Sequence, residues 1–97
     1  MSEILTAEHF RPHLGTPFHA AGWPHPLMLH EIEMHNTRRG AGLSRDAFTL
    51  IFHGTRGEVL SEGMHVVEAE GGGRFELYII PIHTMERDRQ DYQAVFN

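Results

Sequence analysis

From residue 47 onward, apolar side chains recur at every second position, and this period constrains the chain more than any other feature. "AFTLIFHG" (47–54) puts Phe48, Leu50 and Phe52 on one face, and "RFELYIIPIHT" (74–84) does the same with Phe75, Leu77 and Ile79. "DYQAVFN" (91–97) closes with Tyr92, Ala94 and Phe96 in alternation. A period of two is that of a strand with one buried face. "PFHAAG" (17–22), "LMLHEIEMHN" (27–36) and "MHVVEAE" (64–70) read as further strands. Pro-, Gly- and charge-rich stretches separate them, among them "WPHP" (23–26), "TRRGAGLSRD" (37–46) and "MERDRQ" (85–90). "GGG" (71–73) is a tight connection that tolerates positive φ. Short strands between such breaks predict a mainly β protein, a small antiparallel sandwich or barrel of about six strands.

One helix precedes them. Thr6 before "AEHF" is an N-cap candidate with Glu8 in the first turn, and Leu5 and Phe10 can form a hydrophobic staple. Pro12 limits this helix to one or two turns, ending near Arg11–Leu14. No helical period follows residue 15, which argues against a parallel α/β fold.

The chain has 97 residues, enough for a single β domain over 1–97 with one small core. It contains no Cys, which excludes disulfides, thiolate metal sites and a cysteine nucleophile. All eight Lys and Arg residues are Arg, so lysine Schiff-base and P-loop chemistry are excluded too. A net charge of −5 without a basic block argues against nucleic acid as a partner. The start lacks a signal-like apolar region and the longest apolar run is "LYIIPI", so a soluble, cytoplasmic protein with no membrane partner is expected.

Nine histidines make metal binding the next question. His25, His30 and His35 are spaced by five, an odd number that places His30 and His35 on opposite faces of a regular strand. The apolar residues reveal an irregularity: Leu27 and Leu29 share one parity, Ile32 and Met34 the other. A β-bulge near His30 or Glu31 would bring all four toward the core. Glu31, Glu33 and His35 then share the solvent face and are the candidate ligands for a divalent cation such as zinc, against the plainer reading of an exposed polar face. His9 and His13 are four apart, but Pro12 lies between them. His53 and His83 are expected at sheet ends, and His65 at the core edge with Val67 and Ala69.

Other motifs fail on context. "GAGLSR" lacks the third Gly and the following helix of a dinucleotide fingerprint, and Ser44 in "GLSRD" lacks the closing Gly of a nucleophile elbow. Arg38 and Arg39 could grip a carboxylate or phosphate. Trp23 is either a recognition aromatic or, preferably, a lid on the core.

"DAFTLIFHG", "EGMHVVEAE", "GGGRFELYIIPI" and the terminal "YQAVFN" resemble a family of short, uncharacterised bacterial proteins of about a hundred residues. His65 departs from the pattern, standing where the family tends to carry an aromatic. The resemblance spans nearly the whole chain and implies a compact all-β domain. It implies no activity. An association of such genes with phage-tail-like neighbourhoods points to a small accessory component of a larger assembly.

No nucleophile, base and orienter occur together in one segment. The expectation is therefore a non-enzymatic binding or assembly module that self-associates or docks into a larger protein assembly. Trp23, Arg38, Arg39, Tyr92 and Phe96 are the candidate interface residues, and "DYQAVFN" is the candidate open edge. A histidine-based metal-binding protein or metal-dependent enzyme is the alternative.

Overall fold

The structure, a computed structural model, describes residues 5–35 and 47–96. A four-residue helix α1 (Ala7–Phe10) runs into a 3-10 turn over Arg11–His13, where Pro12 ends it as expected. Thr6 caps the helix: its backbone N–H donates to His9 Nδ1 at 3.0 Å, with His in the position a capping box gives to Glu or Gln. Six strands follow: β1 (Pro17–Ala20), β2 (Leu27–Met34), β3 (Phe48–Thr55), β4 (Gly63–Ala69), β5 (Arg74–Ile82) and β6 (Arg89–Phe96). They close into an antiparallel barrel in the order β1-β2-β3-β6-β5-β4, which decides between sandwich and barrel.

Alternation makes the core. Phe18, Leu27, Leu29, Phe48, Leu50, Phe52, Val67, Leu77, Ile79, Tyr92 and Ala94 point inward and are almost fully buried. In a barrel of so few strands, side chains fill the interior. Helix α1 stoppers one end, the base: Phe10 lies 6.0 Å from Phe48, 4.8 Å from Phe75 and 5.7 Å from Phe96, ring centre to ring centre. At the other end, the mouth, the β1–β2, β3–β4 and β5–β6 connections gather. There the buried Leu60 backbone N–H donates to the Tyr92 hydroxyl at 2.9 Å. Gly54 makes room for that ring, since a Cβ on it would lie 2.7 Å from Tyr92 Cε1 and 3.1 Å from Leu27 Cδ2. The three glycines of the β4–β5 turn have φ of 93°, 123° and 106°, as the "GGG" stretch predicts.

The bulge in β2 is present: Leu29 pairs with Phe52 and Glu31 with Ile51, leaving His30 extra. Leu27, Leu29 and partly Ile32 face inward. Met34 does not stay in the core as expected; it is 45% exposed, because it ends the strand at the barrel's rim, where Arg11 Nη2 approaches its sulfur at 3.9 Å.

Two expectations about the last strand are corrected. β6 begins at Arg89, not at Asp91, because Arg89 and Gln90 pair with Thr55 and Gly54. Nor is it an open edge: β6 lies between β3 and β5 and pairs with both. Self-association through that edge is ruled out by closure itself.

Candidate functional site

Residues whose parity points outward line up in rows across the barrel wall. A row toward the mouth joins Ile82, Asp91, His53 and Met28 through successive cross-strand pairs. The bulge adds His30, whose imidazole stacks on that of His53 with ring centres 4.0 Å apart and planes 21° off parallel. Arg89 grips Asp91 with both arms, Nε to Oδ1 at 2.7 Å and Nη2 to Oδ2 at 3.4 Å. His53 Nε2 stands 3.9 Å from Asp91 Oδ1, too long for a hydrogen bond.

The environment fixes the charges. Burial lowers the pKa of His53 below the usual imidazole range, and the neighbouring His30 and Arg89 add to this against the opposing pull of Asp91 and Glu31. Burial alone would raise Asp91, but hydrogen bonds from Arg89 and Thr84 and the positive charge of Arg89 outweigh it and hold the carboxyl below its usual range. The result at neutral pH is a neutral His53 beside an ion pair. Asp91 is committed to Arg89, so it does not orient the imidazole as the carboxylate of a catalytic dyad does.

Beside this row, at the mouth, lies an open cleft of about 500 Å³ between the β3–β4 and β5–β6 connections. Arg56, Val59, His83, Thr84 and Arg89 are among its lining residues. The connections are tied together: Arg56 Nη1 donates to the Arg87 carbonyl, and His25 bonds Glu58 across from the β1–β2 turn.

The residues singled out in the sequence fare unevenly. Glu31 and His35 are exposed and Glu33 half-buried, but they do not converge on a cation. His35 Nε2 is turned onto the Thr49 hydroxyl at 2.7 Å, and among the described residues no group of three or more His, Cys, Asp or Glu could hold a metal ion. Trp23 is half-buried against the core, edge-on to His25 at 5.5 Å, which is the lid reading. Tyr92 is corrected from interface to core: it is 1% exposed, its ring inside the barrel. Phe96 is half-buried and stacks on Phe48 at 4.5 Å. Arg38, Arg39 and Ser44 lie outside the described residues. His65 sits at the core edge as expected, its Nε2 bonded to the Ser61 carbonyl at 2.8 Å.

Sequence reasoning missed the convergence of His30, His53, Arg89 and Asp91. Its one visible signal was parity, which set His53 opposite in face to Phe52.

These features define a small, side-chain-filled antiparallel barrel with a helical stopper at its base and a polar row near its mouth. The chain belongs to the family described as a domain of unknown function (DUF6916), which it matches over residues 5–96. No curated protein and no solved structure matches it. Among the described residues, no helix is long and apolar enough to cross a membrane.

Proposed function

We propose that this chain is a non-enzymatic binding or assembly module, a small accessory component of a larger bacterial assembly of the phage-tail-like kind. One observation carries the reading: the barrel interior is filled by its own side chains, from Phe18 and Phe52 to Tyr92 and Ala94. Barrels that enclose a small ligand keep room at the centre. This one leaves its outer wall and mouth for recognition.

The test is native mass spectrometry of the tagged protein, expressed at its natural level in its own host and recovered without chelator. The expected result is a defined complex at bare subunit masses. A lone monomer with a stoichiometric metal ion would overturn the proposal in favour of the histidine-based metal reading.

A further inference from the structure

The wall of a small barrel normally alternates apolar inside and polar outside. Over part of β3, β4, β5 and β6 this chain breaks the rule. Met64 and Tyr78 are cross-strand partners on the outer face and are 61% and 48% exposed. Two residues along β5 from Tyr78, Ile80 is half-buried on the same face and pairs with Gln93, which pairs in turn with Ile51. Two residues along β6 from Gln93 lies Val95, 42% exposed. Met64, Tyr78, Ile80, Ile51 and Val95 thus form one apolar area around the Gln93 amide.

Single exposed apolar residues are ordinary, but a contiguous area with a polar border marks an interaction surface. Aromatic residues and Met are also enriched at protein interfaces.

Among the described residues, carboxylates predominate on the border. Glu62 accepts a hydrogen bond from the Tyr78 hydroxyl at 2.9 Å, and Glu76 precedes Tyr78 on the same face of β5. On the far side, Glu31 and Glu33 pair with Ile51 and Thr49. The nearby guanidinium of Arg89 is bound to Asp91, which leaves Arg74 at the start of β5 as the cation on the β4–β5 side.

We infer that this face docks a segment of another protein in which apolar side chains are flanked by Arg or Lys. The inference rests on the assembly reading above and specifies its surface and partner. Charge complementarity selects the partner: a second copy presenting the same face would set carboxylates against carboxylates, which costs affinity and specificity. The apolar centre supplies the burial, and the Tyr78 ring, already fixed by Glu62, is the anchor.

The experiment is photocross-linking in the complex recovered from the host, with benzoylphenylalanine in place of Gln93 and, separately, in place of Glu58 at the mouth. The expected product joins position 93 to a partner segment carrying apolar residues bordered by Arg or Lys. Tyr78→Ala, and separately Glu62→Arg with Glu76→Arg, should each weaken the purified complex about tenfold or more in Kd. Both variants alter exposed side chains, and an unchanged circular-dichroism melt verifies that the barrel is intact.

Cross-links from position 58 alone, with affinity unchanged in the variants, would overturn this surface while leaving the assembly reading standing. A cross-link from position 93 to an acidic segment or to a second copy would overturn the choice of partner. If the wild-type protein forms no complex, both readings fall together.

Discussion

Leu60 and Tyr92 are joined inside the barrel's mouth, the backbone N–H of one donating to the hydroxyl of the other at 2.9 Å. This bond lets a loop residue seal the barrel without leaving a buried donor unpaired, and it explains why a phenol, not a phenyl ring, stands at position 92. Burial raises the Tyr92 pKa, with the Leu60 hydrogen bond opposing it, so the hydroxyl stays protonated at neutral pH.

Tyr92→Phe keeps the ring and strands the Leu60 N–H. An unsatisfied buried donor costs about 1–3 kcal/mol. Urea unfolding should show a loss in that range with an unchanged m value. A variant as stable as wild type would mean that water reaches Leu60.

Gly54→Ala is expected to destabilise, although Ala is the better strand residue. Its Cβ would collide with the Tyr92 ring, which is held by Leu60 and has little room to move. Overpacking of this kind costs about 1–3 kcal/mol. A thermal melt checks it, since for a domain this size each 1 kcal/mol lowers Tm by about 4–8 °C.

Phe10→Ala removes the stopper at the base. Phe10 is fully buried against three other phenylalanines, so the expected cost is about 3–5 kcal/mol, a large part of the stability of a small domain. Hydrogen exchange should quicken throughout the barrel. Faster exchange confined to residues 5–14 would show that the helix is only an appendage.

The polar row predicts a pH dependence. His53 has a lower pKa folded than unfolded, so the unfolded chain binds the extra proton as pH falls below the ordinary value of 6.5. Its contribution to stability is therefore greatest above 6.5 and declines as pH drops toward the lowered value. Asp91, also lowered, contributes above its ordinary value of 3.8, and that contribution is lost as pH falls through the folded value. Both act in the same direction, toward acid instability. His53→Asn should flatten the decline just below pH 6.5 in denaturant titrations.

Asp91→Asn carries a sharper sign. Asp91 raises the His53 pKa while Arg89 lowers it. Neutralising the carboxylate should move His53 still lower in an NMR titration. An upward shift would show that burial, relieved by the substitution, dominates both charges.

The strands were legible because alternation reports one buried face, and the bulge because Leu29 and Ile32 differ in parity. The same alternation placed Tyr92 with Ala94 and Phe96 on an inward face, so its core position was available from sequence. Its hydroxyl does not mark an interface, because a buried hydroxyl finds its partner within the fold. Closure was not legible: β1 meets β4, and β3 meets β6, across long stretches of chain, and local pattern says nothing about such pairs. For the same reason His53 and Asp91 could not be matched before the register was known. For Glu31, Glu33 and His35 the hidden element is a side-chain choice: the imidazole turns onto the Thr49 hydroxyl, which no spacing in the sequence displays.

The place of β6 between β3 and β5 also sets the order of events during synthesis. Until residues 89–96 leave the ribosome, the two flanking strands lack the partner between them, and the helix at the base lacks Phe96 as part of its seat. A nascent chain halted before that point would expose two unpaired strand edges, the surfaces most prone to joining a neighbour. Local order can form early, but the ring cannot close until β6 arrives between its two neighbours.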